Sequence, residues 1–125
     1  MLTPYLPYPL VSGGQIRTYN LLKHLSKNHD ITLFALIKDE AERTHLSELQ
    51  KYCKKIVLFK RTKNPFVLRN ILLAGISSYP FVVTRNLPLG MKRAVQEELS
   101  KVKFDLIHAE TFYMMPNIPS TKIPI

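Results

Sequence analysis

Apolar residues recur along this chain with two different periods. From Gln15 to Asn28 they fall every third residue, at Ile16, Tyr19, Leu22 and Leu25, with Arg17, Lys23, Ser26 and Lys27 mostly on the other side. That spacing predicts an amphipathic helix. The run Asp30 to Ile37 (DITLFALI) is almost continuously apolar and rich in strand formers. It predicts a strand covered on both faces, as parallel sheets require. Asp39, with Glu42 three residues on, is a capping pair that opens the next helix, whose apolar face is Ala41, Leu46, Leu49 and Cys53. Lys55 to Lys60 (KIVLFK) predicts a second buried strand. Asn64-Pro65 starts a helix that runs to about Ile76, with an amide N-cap and then a proline whose missing N–H costs nothing there. This helix is apolar nearly all round, and Ser77 to Pro80 breaks it. Pro88 to Val102 predicts another helix, with Met91, Val95, Leu99 and Val102 on one face. Phe104 to Ala109 (FDLIHA) predicts a third strand, Phe112 to Met115 a helical turn stopped by Pro116, and Ile123 to Ile125 the start of a further strand. The first fourteen residues read as loop, because Pro4, Pro7 and Pro9 forbid a regular ladder.

Strands alternating with helices predict an α/β fold, an open parallel sheet flanked by helices. Such sheets bind ligands beyond the carboxyl ends of their strands, where strand order reverses. The 125 residues suit one domain, and 46 % apolar with 22 % charged residues excludes a disordered chain.

Charge adds a preference for partners. Eighteen Lys and Arg against nine Asp and Glu give +9, which favours nucleic acid, acidic lipid or phosphorylated small molecules. Cys53 is the only cysteine, so no intramolecular disulfide can form; a buried free thiol in a reducing compartment is the expectation. His24, His29 and His45 show no metal-ligand spacing with Cys53, and no metal site is expected. The start has no basic residue before an apolar stretch, unlike a signal peptide. The longest proline-free apolar run, Ile71 to Ile76, is far short of the roughly 20 residues a membrane span needs. The apolar helix from Pro65, preceded by Lys60, Arg61 and Lys63, is either buried or docks on an anionic membrane.

Candidate chemistry lies in two places. Gly13-Gly14 sits just before a helix start, where backbone can approach a ligand closely. There the N–H groups of Gly14, Gln15 and Ile16 would face an anion, favoured by the helix dipole. Arg17 follows as a possible phosphate contact or a solvated cation. The loop is neither a dinucleotide fingerprint nor a P-loop, since G-x-G-x-x-G and Gly-Lys-Ser/Thr are both absent. His108 and Glu110 alternate at the end of the third predicted strand and so share one side. They could hydrogen-bond substrate hydroxyls, and His108 could shuttle a proton; a satisfied His and a solvated Glu are the plainer alternative. Tyr5, Tyr8, Phe112 and Tyr113 could stack on a sugar ring or simply pack.

Residues 4–36 (PYLPYPLVSGGQIRTYNLLKHLSKNHDITLFAL) resemble the opening of family-four glycosyltransferases, which have the GT-B fold. Those enzymes have a first strand, a Pro-containing loop, Gly-Gly, a helix with Arg and a Leu-rich face, a His near its end, and a second strand. Here the matching residues are Pro7, Pro9, Gly13, Gly14, Arg17, Leu21, Leu22, Leu25, His29 and Ile31 to Leu36. Phe104 to Glu110 (FDLIHAE) resembles the family's aromatic-Asp-hydrophobic-hydrophobic-His strand, and Ser78 to Arg85 (SYPFVVTR) its Pro-containing segment.

The resemblance implies a Rossmann-like N-terminal half of a GT-B glycosyltransferase. It implies a nucleotide-diphosphate sugar as donor, with no tightly bound cofactor, and transfer with retention of stereochemistry to a sugar, lipid-linked or small-molecule acceptor. Gly13, Gly14, Gln15 and Arg17 would lie against the donor diphosphate; His108 and Glu110 would line the acceptor side. Only Met1 and Leu2 stand where the family's first strand belongs, so that strand is either very short or incomplete. The second domain, with its Glu-x7-Glu motif, has no counterpart here. The expectation is therefore a fragment, inactive alone, from a cytoplasmic enzyme with an option of peripheral contact with the inner face of the membrane. No nucleic-acid partner is expected. The alternative is a non-enzymatic basic α/β module that binds nucleic acid or an anionic surface; it explains +9 but neither the Gly-Gly loop nor the FDLIH strand.

Overall fold

The computed structural model describes residues 1–61, 68, 75 and 79–125. Its centre is a three-stranded parallel sheet: β1 (Leu2–Thr3), β2 (Thr32–Ile37) and β3 (Lys55–Lys60), in the order β1-β2-β3. β2 pairs with β3 over its whole length, from Thr32 opposite Lys55 to Ile37 opposite Lys60. β1 pairs Leu2 with Phe34 and Thr3 with Ala35. On the other side of β1 a single parallel bridge joins Leu2 to Ala109. The chain thus steps outward from β1 to β3 and then returns to the far side of β1. Strand order reverses at β1.

The two faces of the sheet are covered separately. Helix α1 (Gly13–Leu25) and the segment built from a 3₁₀ helix (Glu40–His45) and α2 (Leu46–Leu49) cover one face. Leu22, Leu49 and Cys53 pack there against Leu33, Ala35 and Ile37 of β2. The other face carries α4 (Met91–Lys101) and a second 3₁₀ helix (Phe112–Asn117), with Met91, Val95 and Met114 against Leu2, Phe34 and Leu36. Odd and even positions of β2 therefore serve different cores, which is why its sequence shows no polar alternation. Crossovers of one hand place helices on opposite faces when the direction of travel reverses, and that is the arrangement seen.

The strands at 32–37 and 55–60 are as the sequence predicts, although Ile56 to Phe59 are only half-buried because β3 ends the described sheet. Several expectations need correction. Helix α1 starts two residues before Gln15, since Ser12 caps it, and ends at Leu25. Thr18 and Leu22 are its buried residues and Tyr19 and Leu25 pack against the same core; of the predicted apolar face only Ile16 is exposed. The Asp39–Glu42 capping box forms, but on a 3₁₀ turn that leaves Ala41 outside the core. A short helix, α3 (Phe81–Thr84), stands where only a Pro-containing segment was read. α4 begins at Met91 after Gly90, whose φ of 83° suits glycine. The last 3₁₀ helix runs through Pro116 instead of stopping there.

The third predicted strand, Phe104 to Ala109, is not a strand apart from its bridge at Ala109. β1 is two residues long and offers too short a template for a ladder. Ile107 N–H instead donates to Pro124 O at 2.8 Å, so the expected strand at 123–125 is reduced to one such contact. The helix predicted from Asn64 to Ile76, with its burial or membrane docking, lies outside the described residues except at Leu68 and Gly75. Among the described residues, no helix is long and apolar enough to cross a membrane.

Candidate functional site

Two segments leave the sheet side by side at the point of reversal. β1 ends at Thr3 and passes through the proline-containing loop to α1; the bridge at Ala109 passes into Glu110. Leu2 N–H donates to His108 O at 2.8 Å, and Glu110 N–H donates to Leu2 O at 3.0 Å. These two bonds fix His108 and Glu110 on one side of the chain, as alternation predicts.

Glu110 is the centre of the cluster. Its side chain is 1 % exposed, whereas a solvated Glu was the plainer expectation. Arg17 Nη1 donates to Oε1, and His108 Nε2 donates to Oε2 at 3.1 Å. A buried carboxylate needs such partners, because desolvation without them is costly. Arg17 keeps 66 % of its side chain exposed and His108 keeps 35 %, so both donors also face solvent. Beside Glu110, the Thr111 hydroxyl is buried with no hydrogen-bond partner.

The Gly-Gly loop has a different construction from that expected. Ser12 Oγ accepts Gln15 N–H at 3.3 Å, and Ser12 O accepts Ile16 N–H at 3.0 Å. The Gln15 and Ile16 amides are therefore occupied, not presented to an anion. The Gln15 side chain is also committed: Oε1 accepts from Ser12 Oγ at 2.9 Å, and Nε2 donates to Leu6 O at 3.1 Å. Neither Gly13 nor Gly14 has a positive φ. Gly14 is small for another reason. A β-carbon there would meet the Tyr5 hydroxyl at 2.8 Å, while Gly13 has nothing within 4 Å. The Tyr5 hydroxyl lies 3.1 Å from that of buried Thr18, and they share a hydrogen bond. Burial is the main cause of the upward shift of the Tyr5 pKa, with Glu110 and Tyr113 adding to it. Tyr5, Gly14, Thr18, Arg17, Glu110 and His108 are thus brought to one place. Tyr5 and Thr18 were not singled out together by the sequence: Tyr5 read as one of several loop aromatics, and Thr18 broke the apolar period.

Other candidates are elsewhere. Tyr8 packs between Tyr19 and His45, with ring centroids at 5.8 and 5.6 Å. Phe112 is 69 % exposed, edge-on to Tyr113 at 5.2 Å. Cys53 is buried as expected, and burial pushes its thiol up to about 11. Among the described residues, no group of three His, Cys, Asp or Glu could hold a metal ion.

Known protein families, curated proteins and solved structures were compared with the chain, and none matches it.

Proposed function

We propose that this chain is the acceptor-side half of a GT-B glycosyltransferase, with a Rossmann-like sheet and a second, nucleotide-binding domain completing the cleft. One observation carries the reading: Arg17, His108 and Glu110 converge at the carboxyl end of β1, beside the bridge at Ala109, where the chain order across the sheet reverses. That is where open parallel sheets bind ligands. The resemblance of residues 4–36 and 104–110 to family-four enzymes supports the same place from sequence.

In this reading Glu110 orients Arg17 and His108, and the pair presents cationic and imidazole groups to the cleft. His108 contacts an acceptor hydroxyl and relays its proton. Arg17 faces the donor diphosphate of a nucleotide sugar, together with the Gly13 and Gly14 backbone. Gln15 shapes the loop and does not bind the donor. Closing the cleft would exclude water and orient the two substrates.

The test is glycosyl transfer by the chain joined to the polypeptide encoded beside it, using labelled nucleotide sugars. Transfer that falls about tenfold or more in Glu110→Gln, the scale of one charge-assisted hydrogen bond, supports the reading. Transfer indifferent to that change, or none with any donor in the panel, argues against it. The competing basic-module reading rests on +9 alone. It requires nucleic-acid affinity that falls steeply with salt.

A further inference from the structure

One aromatic ring lies outside the Glu110 cluster but borders it. Of Tyr5, Tyr8, Phe112 and Tyr113, the structure commits all but Phe112. Tyr8 packs between Tyr19 and His45, and the Tyr5 hydroxyl is bonded to that of Thr18. Tyr113 packs against the core that holds Leu2, Phe34 and Met114. Phe112 is left 69 % exposed.

Chain geometry sets this ring beside the cluster. Glu110 and Phe112 are two residues apart, so their Cα atoms lie within about 7 Å. Thr111 between them is extended, with φ −146° and ψ 154°. Extended backbone sends alternate side chains to the same side. His108, Glu110 and Phe112 therefore form one row, and the opposite side takes the buried Thr111 hydroxyl. The base of the ring is rigid. Thr111 O accepts Met114 N–H at 2.9 Å, and Met114 is fully buried. At the end of the same 3₁₀ helix, Asn117 Nδ2 donates to Asn86 O at 3.0 Å, and Asn86 Oδ1 accepts from Arg61 Nη1 at 3.0 Å. Tyr113 meets the Phe112 ring at 78°, a T-shaped contact that fixes its tilt and leaves most of it in water.

Scattered exposed apolar side chains are ordinary, but this one continues a row of hydrogen-bonding groups. Glu110 gives its two oxygens to Arg17 and His108, and both of these still face solvent. Arg17 retains further N–H donors, and a neutral imidazole that donates Nε2–H keeps Nδ1 as an acceptor. A hydrocarbon chain or a flat aromatic group laid along the row would cover the ring but strip water from these groups without replacing its hydrogen bonds. A pyranose ring matches both halves. Its C–H face meets the negative face of the phenyl ring, and the hydroxyls at its edge reach His108 and Arg17.

We propose that Phe112 is the stacking platform of the Glu110 site and that the acceptor presents a pyranose ring to it. The inference rests on the acceptor-side reading above and narrows it: the acceptor is a saccharide, held by its ring face at Phe112 and by a hydroxyl at His108.

The test is NMR titration of the full chain with methyl β-D-glucopyranoside, methyl β-D-galactopyranoside and methyl α-L-rhamnopyranoside. Sorbitol, which carries hydroxyls but no ring face, is the control. No nucleotide sugar is present, so glycosyl transfer plays no part in the outcome. The expected result is saturable binding of at least one pyranoside, with shifts of the Phe112 ring and of His108, and none of sorbitol. Phe112→Ala should weaken that binding about fivefold or more, and Phe112→Tyr should restore it. The exposed ring carries little of the fold, so the alanine variant stays folded. Pyranoside binding that shifts His108 but is unchanged in Phe112→Ala overturns the platform and leaves the acceptor-side reading standing. No saturable binding of any pyranoside also overturns the platform, and transfer from labelled donors then decides the acceptor-side reading by itself. Phe112-dependent retention on phosphatidylcholine vesicles containing phosphatidylglycerol, without pyranoside binding, overturns the platform in favour of a membrane contact.

Discussion

Arg17 and Glu110, ninety-three residues apart in sequence, meet in an ion pair that ties the start of α1 to the segment returning beside β1. The pair is asymmetric. The carboxylate is 1 % exposed and the arginine side chain 66 % exposed. Removing the buried member leaves two donors that water can reach. Removing the exposed member leaves a buried carboxylate with only His108. Arg17→Ala should therefore cost stability comparable to Glu110→Ala, about 1–3 kcal/mol each after allowance for exposure of the cation. Urea unfolding of both variants checks this, and a cost near zero for Arg17→Ala would mean that the pair is a solvated contact.

Gly13 and Gly14 are adjacent in sequence but differ in what surrounds them. Alanine at 13 meets open space and should stabilise the helix start by about 0.4–1 kcal/mol through the unfolded chain. Alanine at 14 must displace the Tyr5 hydroxyl and its bond to Thr18, a loss of about 1 kcal/mol that offsets the gain. In a Tyr5→Phe background the same alanine has its nearest contact at the ring carbon, 3.2 Å away, and should cost less. A double-mutant cycle by thermal unfolding reads this difference. Strict additivity would place the Tyr5 ring elsewhere.

Ser12 holds both the Gln15 amide and the Gln15 side chain. Ser12→Ala should destabilise the chain by about 1 kcal/mol, the usual cost of a lost N-cap. Ser12→Asp keeps the acceptor for the Gln15 amide and adds a favourable charge but loses the donor to Gln15 Oε1, so it should recover part of that loss. Denaturant midpoints of the two variants give the comparison.

Cys53 makes stability depend on alkaline pH. Its folded pKa, about 11, lies above the ordinary value of 9.0 because burial disfavours the thiolate. The unfolded chain loses this proton first, so the contribution is complete below about pH 9 and disappears as pH rises towards 11. Its size is about 2–3 kcal/mol. The pH profile of unfolding for Cys53→Ala should lack this part of the alkaline decline. Parallel profiles for the two chains would show that the thiol does not contribute.

The sequence made the sheet interior legible because β2 and β3 are long and their apolar runs are continuous. It could not show that β1 would shrink to Leu2–Thr3, nor that this would leave Phe104 to Ala109 with a single bridge, because pairing length depends on the partner strand. Within the site, alternation placed His108 and Glu110 together correctly. The glycine pair misled: its free amides were inferred from position, but Ser12, a good N-cap, takes them from Gln15 and Ile16. The Arg17–Glu110 pair has no local signal, since nothing at residue 17 encodes what returns at residue 110. The contact between Arg61 and Asn86 was invisible for the same reason.

The most direct measurement is an NMR titration of the labelled chain with a panel of sugar acceptors and nucleotide sugars, followed by backbone and histidine shifts. The account predicts changes centred on Tyr5, Gly13 to Thr18 and His108 to Thr111, and their loss in Glu110→Gln. Shifts spread over the exposed lysines, or produced by an oligonucleotide and not by any sugar, would contradict it.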